Sequence, residues 1–403
     1  MLKKNNFFKS YFTNSKKYKI NLQKTQKIYN SLLLDIKEDK IPLLKTFEKN
    51  YELDYSKDTV KRFSKYKNII IIGMGGSILG AKSIHSFLKT KIKKEVFFFD
   101  NLDPNLNYEY KKIKNLKNSC FIVISKSGNT LETVTNLATI FSKKILKNRL
   151  VIITEIKDNT LLSIATKLQA EIIEHKEFVG GRYSVLSETG MFPAALMKLN
   201  LLKFKNLSKL IKKKNFVNIL IKNVASIYTL NSSSVKNSVV LNYDSNFNDL
   251  GYWYQQLVAE SLGKKGKGIN PTLSFGPKDH HSLLQLYLDG PKDKFFTFFS
   301  SSKANKNIKI FKNVISDSMS YLKNKSLKSI INAQCNAVKK IFKLKKIPFR
   351  QFVFKNSSEK ELVEIFTFFV LETILLSRLM NVNAFDQPAV EQVKIKTKKI
   401  LGR

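Results

Sequence analysis

Two segments rich in glycine, serine and threonine contain the residue types that bind phosphate. Residues 73–80 read GMGGSILG and residues 125–130 read SKSGNT. Each follows an apolar run and precedes a helical pattern, so hydroxyls and backbone N–H groups would meet at a helix N-terminus, where anions bind. Lys126 adds a cation at the carboxyl end of a strand, the edge where doubly wound sheets bind ligands. The pattern predicts a cradle for a phosphomonoester.

Other interpretations of these segments stay open. Position 78 is Ile, so the first segment lacks the G-x-G-x-x-G spacing of a dinucleotide-binding turn, and no G-K-[ST] follows as in a P-loop. Without a ligand this segment would be a tight strand-to-helix turn. Thr130 alone could be a helix cap.

Further residues could move a proton or stabilise a negative charge. Glu260 ends an apolar-rich helical pattern and Gln256 lies four residues earlier, so both would project from one helix face, with the carboxylate as a candidate base. Arg182 follows two glycines and could stabilise an oxyanion. His281 is one of only four histidines, and imidazole is the side chain most suited to proton transfer near neutral pH. In the alternative, purely structural interpretation, Glu260 pairs with Lys264 on the surface and Arg182 forms a structural ion pair.

Short apolar runs indicate the elements that position these residues. In the first half NIIIIG (68–73), EVFFFD (95–100), CFIVIS (120–125) and LVIIT (150–154) are apolar on both faces, as in buried parallel strands. Stretches 77–90, 104–116 and 130–147 can supply crossover helices. This βαβ series predicts a doubly wound parallel sheet.

The second half repeats the pattern in part. Strands are predicted at 237–243, 295–300 and 351–354, and helices at 246–262, 280–288, 318–343, 358–380 and 388–401. We therefore predict an N-terminal helical arm (1–50), a first α/β domain with the phosphate loops (51–200), a second with Glu260 and His281 (201–385), and a C-terminal helix carrying Lys394 (386–403).

Six segments together resemble the phosphoglucose isomerase family, whose fold is that of SIS (sugar isomerase) proteins. Besides the two loops they are 179–187 (VGGRYSVLS), 256–264 (QLVAESLGK), 279–287 (DHHSLLQLY) and 385–391 (FDQPAVE). They occur in the family's order across about four-fifths of the chain. The resemblance implies two SIS-type three-layer αβα subdomains.

The resemblance also implies a reaction and the residues that perform it. D-glucose 6-phosphate and D-fructose 6-phosphate would interconvert through ring opening and a cis-enediol(ate), without a metal or an organic cofactor. The phosphate would be bound by Ser77, Ser125, Lys126, Ser127 and Thr130. Further substrate-binding residues would be Gly76, Gly181, Gln256 and Gln387. The catalytic residues would be Glu260 for the proton, Arg182 for the enediolate, and His281 with Lys394 for the ring.

Two residues of this sequence depart from the family's pattern, and the resemblance also implies an oligomeric state. His280 stands where the family usually has Gln, and Val393 replaces a Gly just before Lys394. The family implies a homodimer in which His281 reaches the neighbouring subunit's site. A dual-specificity phosphoglucose/phosphomannose isomerase and a non-catalytic sugar-phosphate sensor are the alternatives.

Composition excludes several other classes. The chain has a formal net charge of +40 but only six arginines, so lysine supplies the rest, and a lysine-biased composition explains this better than a nucleic-acid surface. Cys120 and Cys335 are too few for a disulfide framework, and adjacent His280 and His281 rarely converge on one metal. No apolar run is long enough for a bilayer and no signal peptide is evident. We expect a cytoplasmic protein.

Overall fold

The apolar runs of the first half form one parallel sheet. The computed structural model describes residues 8, 11–12, 15–141, 148–302 and 308–402. Every residue of the strands at 68–73, 119–124 and 150–154 is buried, which explains the absence of polar–apolar alternation. The sheet has the order β2-β1-β3-β4-β5. Its strands are β1 (Asn68–Gly73), β2 (Glu95–Phe99), β3 (Ser119–Ile124), β4 (Leu150–Thr154) and β5 (Glu171–Glu174).

A second parallel sheet has the order β7-β6-β8-β9. Its strands are β6 (Asn237–Asn242), β7 (Asn270–Phe275), β8 (Lys294–Ser301) and β9 (Phe349–Phe354). The seven predicted strands are confirmed. The pattern misses β5, whose four residues begin and end with a glutamate, and β7, an edge strand that contains Pro271.

Helices cover both faces of each sheet. Ile69 and Ile71 of β1 enter one hydrophobic core, whereas Ile70 and Ile72 enter another. The doubly wound α/β prediction is therefore confirmed. The helices are α1 (Lys16–Lys37), α2 (Lys57–Ser64), α3 (Gly76–Phe87), α4 (Leu106–Lys111), α5 (Leu131–Phe141), α6 (Thr160–Leu168), α7 (Glu188–Leu196), α8 (Leu207–Ile211), α9 (Lys214–Asn231), α10 (Asn248–Leu262), α11 (Leu284–Asp289), α12 (Leu327–Leu344), α13 (Glu359–Met380) and α14 (Ala389–Leu401).

The predicted helices differ from the observed ones mainly at their ends, whereas α2, α6, α7, α8 and α9 were not predicted. The crossover helices are observed as α3, α4 and α5, and the predicted stretch 142–147 lies outside the described residues. The helix predicted over 280–288 is wrong at its start, because Lys278–His281 form a 3-10 turn and α11 begins at Leu284. Helix α12 begins at Leu327 rather than near 318, since Ser326 and Ser329 form a capping box there.

The two halves pack together through helices. Helix α3 lies against α10, and one hydrophobic core contains side chains from both sheets. Helix α1 lies on the second half, where Asn21 donates to Thr229 at 2.9 Å and Arg378 pairs with Asp35 at 2.6 Å. None of the helices in the described ranges is long and apolar enough to cross a membrane. The predicted domain limits stay predictions.

A buried lysine, Lys205 in the segment after α7, bonds to the segment that follows α1 and to the segment that precedes α7. The ammonium group of Lys205 donates to the carbonyl oxygens of Thr46 and Leu186 and lies 4.8 Å from the centre of the Tyr51 ring. Burial lowers the pKa of Lys205 to about 7, although Glu188 nearby acts in the opposite direction. The folded chain therefore releases this proton at a pH where the unfolded chain still holds it.

We expect Lys205 to make stability rise with pH above about 7. Between that pH and the ordinary lysine pKa, unfolding takes up a proton, so the free energy of unfolding increases by up to about 1.4 kcal/mol per pH unit. Urea unfolding at several pH values should show this slope in the wild type relative to Lys205→Met. The exposed neighbour Lys203, changed to Met, is the control. Parallel curves for wild type and Lys205→Met would contradict the prediction.

Candidate active site

The two phosphate-type loops lie side by side at the carboxyl edge of the first sheet. Strands β1 and β3 are neighbours, with Gly73 opposite Ile124, and the strand order reverses between them. Helix α3 begins directly after β1 and α5 begins seven residues after β3. This is the switch point at which doubly wound sheets bind ligands.

The loop after β3 has a shape fixed by its own contacts. The hydroxyls of Ser125 and Thr130 are hydrogen bonded at 2.8 Å. Gly128 has a φ of +66°, and a Cβ there would lie 1.8 Å from the side-chain oxygen of Asn159. The side-chain oxygen of Asn129 accepts a hydrogen bond from the Thr160 N–H at 2.9 Å. The loop is therefore held in one conformation before any ligand arrives.

Lys126 supplies the positive charge of this loop. Its ammonium group donates to the Glu177 carbonyl at 2.7 Å and lies 3.6 Å from the Glu155 carboxylate. It also borders a cavity of about 230 Å³ that Gly180 and Phe385 help to line. The pKa of His175 is lowered to about 4, mainly by burial and next by the positive charge of Lys126. That imidazole is therefore neutral near pH 7 and adds no charge beside the loop.

Two glycines bring the Arg182 segment against the loop after β1. A Cβ on Gly76 would lie 2.1 Å from the carbonyl carbon of Gly181, so the two backbones touch with no room for a side chain. Ser184 donates to the Gly76 carbonyl at 3.2 Å. Gly76 and Gly181, both predicted from sequence to bind substrate, thus form the backbone contact that places the Arg182 segment against α3.

We expect Gly76→Ala to lower the free energy of unfolding by about 1–3 kcal/mol, because the new methyl group would overlap backbone atoms. Gly181→Ala is the matched control across the same contact. Its Cβ would meet only the Gly76 Cα, at 4.0 Å, and should change stability by less than about 0.5 kcal/mol. Urea unfolding of both variants tests this. Equal costs would contradict the close approach.

Arg182 is buried and all of its N–H groups have partners. Its Nε donates to Ser261 at 2.8 Å, and its Nη2 donates to the carbonyls of Ala384 and Asp386. Its Nη1 donates to Glu260 at 3.2 Å and to Gln387 at 2.7 Å. Only Nη1 therefore contacts predicted substrate-binding or catalytic side chains.

Glu260 and Gln256 lie on one face of α10, as their spacing predicts. Gln256 Nε2 donates to Glu260 Oε1 at 2.9 Å, while Glu260 Oε2 faces Arg182. A Cβ on Gly75 would lie 2.7 Å from Gln256 Nε2, so this face of α10 touches the loop after β1. Within the described residues, Gln256 Oε1 is buried without a hydrogen-bond partner. It can accept a hydrogen bond from a substrate hydroxyl.

The alternative prediction of a surface ion pair between Glu260 and Lys264 is wrong. The Lys264 ammonium group instead donates to the backbone carbonyls of Glu260 and Asn383, at 2.7 and 2.6 Å, and lies 3.3 Å from the Asp386 carboxylate. It thereby ties the end of α10 to the segment that carries Gln387. Burial lowers the pKa of Lys264, and the nearby positive charge of Arg182 lowers it further.

The structure does not bring His281 or Lys394 to this group within one chain. His281 lies on the exposed 3-10 turn after β7, and its neighbour His280 is hydrogen bonded to the Tyr243 hydroxyl at 2.6 Å. Lys394 lies on α14 and pairs with Glu391 at 2.5 Å. Helix α14 has no buried residue.

Sequence reasoning missed the residues that support Arg182. Tyr183 and Ser261 are fully buried, their hydroxyls are 2.8 Å apart, and Tyr183 also donates to the Ala384 carbonyl. Their only sequence signal is position, because they directly follow Arg182 and Glu260. In the described ranges, no group of three or more His, Cys, Asp or Glu side chains is placed to bind a metal ion.

Two parallel sheets covered by helices, with glycine-rich loops at the switch point of the first, form the fold of the SIS class of phosphosugar isomerases. The family model described as phosphoglucose isomerase matches residues 43–403. The glucose-6-phosphate isomerase of Methanocaldococcus jannaschii is 32% identical over 352 residues, covering 85% of this chain and 86% of that protein. This chain belongs to the phosphoglucose isomerase family, and the protein is an aldose–ketose isomerase.

Two solved structures share the fold. A hypothetical protein from Thermus thermophilus has a TM-score of 0.82 and 23% identity, with full coverage of both chains. A glucose-6-phosphate isomerase from Chlamydia trachomatis has a TM-score of 0.70 and 20% identity, covering 86% of this chain and 73% of that one. The similarity extends over both sheets.

Proposed function

We propose how this chain interconverts D-glucose 6-phosphate and D-fructose 6-phosphate. The observation that carries the proposal is the group formed by Arg182, Glu260 and Gln256 beside the two loops of the first sheet. Ser77, Ser125, Lys126, Ser127 and Thr130 bind the phosphate, and Gly76, Gly181, Gln256 and Gln387 position the sugar. The reacting carbons then lie next to the Glu260 carboxylate.

Glu260 moves the proton. Its carboxylate removes the C2 proton of the open-chain aldose, and the electron pair forms the C1–C2 double bond of an enediolate with the negative charge on O1. Arg182 Nη1 stabilises that charge, exchanging a hydrogen bond to Glu260 or Gln387 for one to the oxygen. A proton passes from O2 to O1, and Glu260 returns its own proton to C1 as the C2 carbonyl forms, which yields the ketose. The carbonyl acidifies the adjacent C–H, so this step requires no metal or organic cofactor.

His281 and Lys394 open the ring, and His281 acts in the site of a partner subunit. The ring of His281 and the ammonium group of Lys394 are exposed, and within the described residues neither bonds to the Arg182–Glu260 group. Helix α14 also leaves apolar side chains exposed, including Val390, Val393 and Ile400. A homodimer would cover such side chains and complete both sites.

Mixed dimers test the exchange of His281. Glu260→Gln and His281→Ala should each be inactive alone. In a dimer of one chain of each kind, one of the two sites holds both native residues. Co-expression with random assembly should therefore restore about a quarter of wild-type activity. Light scattering should report a dimer for each variant. No restoration in a purified mixed dimer would contradict a role for His281 across the interface.

A coupled assay tests the reaction itself. Glucose 6-phosphate formed from fructose 6-phosphate is followed through a dehydrogenase, with a chelator present to test metal dependence. We expect turnover that the chelator does not change. Turnover of mannose 6-phosphate would favour the dual-specificity alternative. Binding of fructose 6-phosphate without turnover would favour the sensor.

We further propose that the enzyme works in the cytoplasm and serves glycolysis and gluconeogenesis. Glucose 6-phosphate and fructose 6-phosphate are intermediates that these two pathways share. Fractionation of cells that express the native gene tests the location, and recovery of the activity outside the cytoplasmic fraction would contradict it.

A further inference from the structure

A second cavity lies at the carboxyl edge of the second sheet. Its volume is about 800 Å³, and it opens beyond the ends of β6, β7 and β8, where Tyr243, Phe275 and Ser301 line it. The strand order of this sheet reverses between β6 and β8, so the cavity occupies the switch point. In doubly wound sheets this is the place where ligands bind. The phosphate loops lie at the corresponding edge of the first sheet, and His281, on the turn after β7, is the only proposed catalytic residue at this second edge in the part of the chain that the structure describes.

The polar side of the cavity is a connected group of charged side chains. The Asp244 carboxylate accepts hydrogen bonds from the Ser301 hydroxyl and from the Asn246 side chain, the latter at 3.0 Å. The Lys328 ammonium group donates to Ser301 at 2.5 Å and lies 3.7 Å from Asp244. The Asp244 and Lys328 side chains are only 16% and 15% exposed. Asp244 is thus neutralised by its neighbours.

Lys328 keeps binding capacity after these contacts. An ammonium group has three N–H donors. One of them bonds to Ser301, and Asp244 lies 3.7 Å away as an ion-pair partner. Lys278 lines the same cavity and adds a second positive charge. Asp244 balances one of the two lysine charges, so these three side chains keep one net positive charge, which favours an anionic group such as a phosphoryl group.

The cavity also has apolar lining residues that are open to solvent. They include Tyr252, Leu327 and Ile308, which are 43%, 50% and 63% exposed. Ile331 and Phe275 are further apolar lining residues. Exposed apolar side chains around a cavity favour a ligand with a flat or apolar part, because covering them removes apolar surface from water. A hexose phosphate has no such part.

We propose that this cavity binds a nucleoside monophosphate. Its phosphoryl group meets Lys328 and Lys278, and its base lies against Tyr252, Leu327 and Ile308. The volume is in the range of sites for ligands of this size, roughly 300–1,000 Å³. None of the residues that line it belongs to the phosphate loops or to the Arg182–Glu260 group. Hexose phosphate and nucleotide therefore bind at the same time.

Calorimetric titration of the full chain with AMP tests the site while fructose 6-phosphate saturates the first one. We expect one AMP per chain. Lys328→Met should weaken AMP binding by about tenfold or more, since a charge-assisted hydrogen bond is lost. Tyr252→Ala should weaken it several-fold through the lost contact with the base. Lys325→Met removes an exposed lysine that does not line the cavity and should leave AMP binding unchanged.

Several results would overturn the site. They are no heat with AMP at millimolar concentration, displacement of AMP by fructose 6-phosphate, and unchanged AMP binding by Lys328→Met. Adenosine that binds as tightly as AMP would contradict the phosphoryl contact, and inorganic phosphate that binds as tightly would contradict the contact with the base. If Lys328→Met fails to fold, Tyr252→Ala decides, because that exposed side chain lies outside the Asp244 group.

Discussion

Glu260→Gln should lower kcat by about 10²–10⁴-fold with little change in substrate affinity, because a positioned general base contributes that much. Glutamine keeps the size of the side chain and an oxygen that can accept from Arg182 Nη1 or Gln256 Nε2. It cannot take the C2 proton. The loss should therefore fall on the chemical step rather than on binding.

Steady-state kinetics with the coupled assay, together with calorimetric titration of fructose 6-phosphate, separate the two effects. Glu95→Gln is the control, since Glu95 is an exposed carboxylate at the start of β2. It should behave as the wild type. Glu260→Gln with near-wild-type kcat would place the base elsewhere. A variant that binds no substrate would mean that Glu260 also holds the ground state.

Glu372→Gln should lower the free energy of unfolding by about 3–5 kcal/mol, because it leaves the guanidinium group of Arg350 buried without its countercharge. Arg350 and Glu372 are 0% and 1% exposed and form a two-pronged pair between β9 and α13. Arg350 also donates to Thr297 at 2.9 Å and to the Tyr254 hydroxyl at 3.2 Å. Neither of these groups can replace a carboxylate.

Urea unfolding measures this loss, and two comparisons isolate its cause. Asp35→Asn removes the partner of Arg378, whose carboxylate side chain is 22% exposed, and should cost less than about 1 kcal/mol. The double change Arg350→Met with Glu372→Leu removes both charges and should recover most of the stability. A cost for Glu372→Gln as small as that for Asp35→Asn would mean that water reaches the pair.

The regular elements were predictable because burial leaves a local signal. Strands β1, β3 and β4 are covered on both faces, so their apolar runs are unbroken. The signal is weaker in β5, which begins and ends with a glutamate, and in β7, which contains Pro271, so both escape the pattern. The edge strands β2 and β9 keep an apolar run and were predicted. The start of α12 depends on two serine side chains that bond to each other's backbone. Spacing alone does not show that contact.

The site was predictable as a set of residue types but not as an arrangement. Gln256 and Glu260 share a face of α10 because helical spacing requires it. Their contact with Arg182 depends on the Gly76–Gly181 approach and on the packing of α3 against α10, which join segments far apart in the chain. The roles of His281 and Lys394 stay predictions, since neither side chain contacts the Arg182–Glu260 group within one chain and His281 is expected to act in a second copy.

The position of α1 has a consequence for synthesis on the ribosome. Helix α1 is synthesised before both sheets, yet Thr229 and Arg378, which bond to its Asn21 and Asp35, follow 208 and 343 residues later. The strands of the first sheet all lie between residues 68 and 174, so that sheet can assemble before the residues that α1 packs against have been synthesised. At roughly 5–20 residues per second, the apolar face of α1 stays uncovered for many seconds. Nascent chains should therefore offer this helix to chaperones until α13 emerges.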